Sequence, residues 1–238
     1  MLGADEAGKG PVLGPMVAGA VRASPDRLPD GVADSKRLSA SDRERLAERL
    51  RSDEAVATAT AVVPVAAIDA PETDMNELGV AGQAVALRCV ARDGDRAVVD
   101  AADVSAERFG DRLQTTVAAT DGDDADPHPL LAAGDGDPEG VAPPSEVDVT
   151  AEHGADDRYD LVAAASILAK VERDRRMAAI DERYDRPVGS GYPSDETTRE
   201  FLAAYVTETG SLPECARASW QTARDALAAA AQSGLDDF

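Results

Sequence analysis

Short runs of Val, Ala and Thr alternate with stretches of helical periodicity along most of this chain, and the C-terminal remainder is helical only. That order constrains the fold more than any other feature. Strands alternating with helices, then helices alone, select an α/β core with a helical C-terminal appendage. LGADEAG and MVAGAVRA read as two short strands around a glycine-broken loop, and AVATATAVVPVAAI as a third strand. RAVVDAAD is a short apolar strand ending on Asp100, and SEVDVTAEHGAD resumes strand character up to Asp156. SASDRERLAERLRS is a helix that Ser39 or Ser41 can cap, with Leu46 and Leu50 on one face. MNELGVAGQAVALRCVARDG reads as a helix closed by Gly94, SAERFGDRL as a short helix, and LVAAASILAKVERDRRMAAIDERY as a long amphipathic one. After the turn segment PVGSGYPSD come two more helices, DETTREFLAAYVTETG and RASWQTARDALAAAAQ. The core is expected over residues 1–176 and the helical region over 177–238.

Residues 120–145 break the pattern: they are rich in Asp, Gly and Pro without periodicity, and read as a solvated, mobile insertion. They lack the closing glutamate of an EF-hand loop. No apolar run is long enough to span a membrane, and no cationic segment followed by an apolar one opens the chain, so a cytoplasmic protein is expected, monomeric by default. Cys89 and Cys215 are two isolated cysteines, which form neither a disulfide framework nor a zinc site. The formal net charge of −22 comes with only three lysines, Lys9, Lys36 and Lys170. Such a lysine-poor acidic surface fits a cytosol of concentrated salt, where screening shortens the reach of its self-repulsion. The charge therefore does not exclude a polyanionic partner.

Three strand ends carry acids: Asp5 with Glu6, then Asp100, then Asp156. Adjacent like charges are costly unless something positive sits between them. Carboxylates with no accompanying cluster of His or Cys select a hard cation, Mg²⁺ or Mn²⁺. Two such ions would serve a phosphodiester displacement. In a chain with 46 acids, acids also fall at strand ends without forming any site. Successive strand residues point to opposite faces, so Asp5 and Glu6 share a site only if the strand twists or ends there. Gly8, Gly10 and Pro11 offer such an ending.

GADEAGKGPVLGPMVAGAV resembles the N-terminal signature of the ribonuclease HII (type 2 ribonuclease H) family. DSKRLS, AVVDAADV, AEHGADDRYDLVAAASILAKVERD, GSGYPSD and RASWQT extend the resemblance in the family's order, and its cast is archaeal. The resemblance implies a ribonuclease H-like mixed β-sheet flanked by helices, with a helical C-terminal extension. It implies an endonuclease that cuts the RNA strand of RNA–DNA hybrids, and duplex DNA at embedded ribonucleotides, leaving 3′-hydroxyl and 5′-phosphate ends. The family's metal-binding acids map onto Asp5, Glu6, Asp100 and Asp156, holding two divalent ions, Mg²⁺ or Mn²⁺. Its glycine–basic–glycine loop maps onto Gly8, Lys9 and Gly10, where backbone groups can meet the ribose 2′-hydroxyl that separates RNA from DNA. The middle residue is often Arg in the family. Tyr192 matches the tyrosine at the ribonucleotide–deoxyribonucleotide junction; Ser35 and Lys36 match a family element near backbone phosphates, and Lys170, on the long helix after Asp156, is a further candidate phosphate contact. Gly154 stands where family members commonly carry Lys, His153 is expected to make a structural hydrogen bond, and the motif selects Asp156 over Asp157.

The chain ends QSGLDDF, with Gln232, Leu235 and Phe238 at positions one, four and seven. That spacing resembles the sliding-clamp-binding box of replication proteins, in which a single 3₁₀-like turn sets apolar side chains on one side. The tail 232–238 is therefore a candidate partner site. Two alternatives remain open on sequence. One is another two-metal nuclease of the same fold, such as a Holliday-junction resolvase; the other is a clamp-tethered nucleic-acid-binding protein without catalysis.

Overall fold

The computed structural model describes residues 1–119, 132–133 and 144–236. Apart from those few positions, the acidic insertion expected over 120–145 lies outside the described residues. The strands are β1 (Leu2–Ala7), β2 (Met16–Arg22), β3 (Ala57–Val63), β4 (Asp95–Asp100), β5 (Ala132–Ala133) and β6 (Val147–Glu152). They form one mixed sheet in the order β5-β3-β2-β1-β4-β6. β1, β4 and β6 run parallel; β2 is antiparallel to β1 and to β3. The helices are α1 (Ala40–Ser52), α2 (Val65–Ile68), α3 (Met75–Val90), α4 (Ala106–Ala118), α5 (Asp160–Asp181), α6 (Glu196–Thr209) and α7 (Gln221–Asp236). The α/β class and the helical C-terminal extension expected from sequence are both present.

Two apolar layers hold the sheet. On one face Leu2, Ala4, Ala18 and Ala20 pack with Val80, Leu87, Phe109 and Leu113 of α3 and α4. On the other, Val21 packs with Leu46 and Leu50 of α1 and with Leu161, Ala164, Ile167 and Leu168 of α5. α5 lies unusually near the sheet because the strands below it carry glycines. A Cβ on Gly3 would come within 2.3 Å of the Leu161 carbonyl carbon, and one on Gly19 within 2.4 Å of the Ala165 oxygen. A third cluster joins Val12 and Leu13, just after the glycine loop, to Met177, Phe201, Leu202, Val206 and Ala223 of the C-terminal helices. The 176/177 boundary falls inside α5, which runs unbroken from Asp160 to Asp181 and serves both clusters.

Several element ends differ from the sequence reading. β3 stops at Val63, because Pro64 cannot continue the ladder and instead opens the short helix α2. α3 ends at Val90, and Gly94 occupies the following turn at φ +78°. Ser39, not Ser41, caps α1 by accepting from the Asp42 N–H. Leu161 to Ala169 of α5 are buried on every side rather than along one stripe, since both the sheet and α1 cover them. Among the described residues no helix is long and apolar enough to cross a membrane.

Candidate active site

The C-terminal ends of β1 and β4, together with the turn after β6, gather the acids. The pairing Ala4↔Val99 sets Asp5 and Asp100 one step further along neighbouring strands. Asp5 is only 6% exposed and faces Ser166 of α5. Glu6, next in the pleat, points to the opposite layer, where Gln83 of α3 donates to its Oε2 at 2.7 Å. The same Gln83 amide donates to the Asp100 carbonyl at 3.0 Å. The Asp100 carboxylate accepts the Ala155 N–H at 2.7 Å. Asp156 does not end a strand. β6 stops at Glu152, Gly154 turns the chain at φ +63°, and Asp156 sits in the 3₁₀ turn Ala155–Asp157. Asp156 is 8% exposed, whereas the Asp157 side chain is 60% exposed.

These carboxylates share one electrostatic field. Burial, then the charges of Asp100 and Asp156, push Asp5 up to about 7. Burial, then Asp5, push Glu6 up to about 8. Asp100 is also raised, by burial and then by Asp156. Among the described residues no three acid, His or Cys side chains close into a ready-made ion-binding group. Gln83 holds Glu6, the Ala155 N–H holds Asp100, and Lys36 pairs with Asp156. The donor set nonetheless fits a hard divalent cation: it is all oxygen, and a cation between the acids would offset both the burial and the mutual repulsion that raise them.

The glycine loop leaves β1 beside this cluster, and Gly8 ends the strand at φ +89°. Its missing Cβ leaves room for the Arg173 side chain, whose Nε would lie 2.4 Å from such an atom. Lys9 turns inward, with Nζ donating to Asn76 Oδ1 at 3.0 Å and to the Ala102 carbonyl. Tyr192 stands next to Gly10, its ring edge 4.0 Å from where a Cβ would be, with Arg173 stacked 5.3 Å from its centroid. It is 40% exposed.

Lys36 lies in the 3₁₀ segment Val32–Arg37 with Ser35, and its Nζ contacts Asp156 at 3.2 Å and Asp157 at 2.6 Å. Lys170 is half-buried on α5. His153 lies 2.7 Å through Nε2 from the Asp103 carbonyl, tying the turn after β6 to the loop after β4. Gln232 is exposed on α7; Leu235 lies in the last turn of that helix, which continues to Asp236, and Phe238 is outside the described residues.

Sequence reading missed three residues at this site. Gln83 looked like one polar position in an apolar helix. Arg173 and Arg217 carry no signal of their own in the sequence, yet they are 5% and 0% exposed. Only RASWQT, quoted for its order along the chain, pointed towards Arg217.

The geometry can be set against known proteins. The family model for ribonuclease HII matches residues 2–133 and 139–223. The chain is 57% identical to a ribonuclease HII of Halobacterium salinarum over 99% of its own length and 98% of the relative's. It is 52% identical to one from Haloarcula marismortui, over 99% of each chain. A solved PCNA:RNase HII complex from Archaeoglobus fulgidus superposes with a TM-score of 0.76 at 35% identity, covering 100% of this chain and 99% of that one. Such matches from end to end displace both the resolvase and the non-catalytic readings, and they agree with the halophilic composition. With the family model and curated relatives matching nearly the whole chain, the chain belongs to the ribonuclease HII family and is a ribonuclease H, an endonuclease that hydrolyses phosphodiester bonds.

Proposed function

We propose that this enzyme cuts the RNA strand of RNA–DNA hybrids, and duplex DNA at single embedded ribonucleotides, leaving 3′-hydroxyl and 5′-phosphate ends. One observation carries the reading: the buried Asp5 feels the charges of Asp100 and Asp156, and Glu6 those of Asp5 and Asp100, at neighbouring strand ends beside the glycine loop. These four would hold two divalent ions, Mg²⁺ or Mn²⁺. Such ions, when bound, supply an activated water and stabilise the departing oxygen.

The chain's own residues do the rest. Gln83 and the Ala155 N–H fix the directions of Glu6 and Asp100. Gly8, Lys9 and Gly10 bring bare backbone to the sugar, whose 2′-hydroxyl distinguishes RNA from DNA. The inward turn of the Lys9 side chain fits a loop that reads with its backbone. Tyr192 offers a ring face beside Gly10 to the sugar at the ribo–deoxy junction. Ser35, Lys36 and Lys170 take backbone phosphates, Lys36 by leaving its acid partners.

The test is a DNA duplex containing one ribonucleotide, with and without divalent metal, comparing the wild type with Asp5→Asn. Metal-dependent cutting at the ribonucleotide alone, lost in the variant, is expected. Cutting of all-DNA duplex, or an active variant, would reject the reading.

A partner reading has its own support. The similar A. fulgidus protein has been solved in complex with PCNA, and Gln232, Leu235 and Phe238 carry clamp-box spacing. Deleting 232–238 is expected to abolish binding to a sliding clamp while intrinsic cutting persists; equal binding would reject it.

A further inference from the structure

The loop that reads the sugar is held from behind by side chains the reaction does not use. Arg217 Nη2 donates to the Gly8 carbonyl at 2.6 Å, Nη1 to Lys9 at 3.0 Å, and Nε to Gly14 at 2.9 Å. Three positions on, the Trp220 indole N–H donates to the Gly10 carbonyl at 3.2 Å, and the Arg217 guanidinium stacks 4.9 Å from that ring. The segment is anchored by the Arg217 N–H on the Val12 carbonyl at 2.8 Å.

A peptide unit is planar and trans, so its carbonyl and the next residue's N–H point in opposite directions. Drawing the Gly8 and Lys9 carbonyls inward therefore turns the Lys9 and Gly10 N–H groups outward. Among the described residues those two N–H groups have no hydrogen-bond partner. Pro11 comes next and has no N–H to offer, so the outward edge is those two donors.

Arg217 is an expensive way to fill space. It is fully buried, no carboxylate pairs with it among the described residues, and the buried Arg173 lies close enough to repel it. An apolar side chain of like volume would avoid that desolvation cost. A lysine would bring a point charge in place of a rigid fork. What only the fork provides is simultaneous grip on three carbonyls.

We propose that Arg217, assisted by Trp220, is a positioning residue for ribose recognition: it fixes residues 8–10 with the Lys9 and Gly10 N–H groups facing the substrate sugar, and so sets the preference for a ribonucleotide. This rests on the reading of that loop as the 2′-hydroxyl sensor. It gives the C-terminal segment a part in specificity, although no acid of the cluster lies there.

The experiment compares wild type, Arg217→Lys and Trp220→Phe in three measurements. These are kcat/KM on a duplex with one ribonucleotide, competition by the matching all-DNA duplex, and Mn²⁺ affinity by calorimetry. Arg217→Lys is expected to lower kcat/KM by roughly 10–100-fold, the scale of a small misplacement of a positioning group, and Trp220→Phe by less. All-DNA competition and Mn²⁺ affinity should stay within about twofold of wild type, because neither needs the outward N–H pair. Variants that keep the full ribonucleotide preference would overturn the proposal, as would loss of all three properties together, the mark of a merely structural role. Should Arg217→Lys fail to fold, Trp220→Phe decides by the same criteria. A wild-type enzyme without ribonucleotide preference would instead overturn the loop reading, and the proposal with it.

Discussion

Glu6 owes its direction to Gln83, whose amide also grips the Asp100 carbonyl and so ties the ends of β1 and β4 to α3. The other end of that amide, Oε1, is buried with no hydrogen-bond partner among the described residues. Gln83→Leu keeps the volume and removes both the donor and the orphan acceptor. It is expected to weaken Mn²⁺ binding roughly 10–100-fold, as loss of an outer partner does, with little change in melting temperature; calorimetric titration checks it. The raised acids give a second expectation. Asp5 and Glu6 bind protons more tightly folded than unfolded, so the metal-free protein should lose stability as pH rises from the ordinary carboxylate range towards 8. Saturating Mg²⁺ should restore it, and Mg²⁺ affinity should rise over the same interval because binding displaces protons. Denaturation midpoints at several pH values, with and without metal, measure both. Gly154 sits at φ +63°, so the family's usual lysine would be strained here; Gly154→Lys is expected to destabilise by about 1 kcal/mol. The four candidate acids could be nominated from sequence because each lies in a short local motif. Gln83 and Arg217 were not, since their partners lie 77 and 209 residues away.

At the scale of elements, alternation of strand and helix patterns was enough to give the α/β core, although the last helix begins at Gln221 rather than Arg217 and runs on to Asp236. The ends were less legible because they depend on one residue's backbone chemistry, as where Pro64 converts the end of a strand into α2. The burial of α5 on all sides was hidden too. Its AAASILA run carries no stripe to read, and the cause lies in the small residues of β1 and β2 beneath it. That close approach places Ser166 against Asp5, so packing and site geometry are the same contact. Gly19→Ala would drive a Cβ to 2.4 Å from the Ala165 oxygen, which is backbone and cannot step aside. A loss of about 1–3 kcal/mol is expected for such overpacking, read from denaturant midpoints.

The molecule as a whole carries a net charge of −22 and binds a polyanion. Of its three lysines, Lys9 is tied inside the fold and Lys36 rests on Asp156 and Asp157. Besides Lys170, the other cations are arginines, and many of the described ones are buried or already ion-paired with acids of the fold, so substrate affinity should fall with salt on a log–log slope of only about −2 to −3, equivalent to two or three contacts. Filter binding across a KCl series measures it, and a much steeper slope would mean a broad basic face. Affinity must then come mainly from the acid cluster with its ions and from the sugar-reading loop, and the ions are the part open to direct observation. Crystals soaked in Mn²⁺ and measured for anomalous scattering should show density bounded by Asp5 together with Glu6, Asp100 or Asp156. Saturating Mn²⁺ that binds elsewhere, leaving the cleft between β1, β4 and the turn after β6 without an ion, would contradict the account.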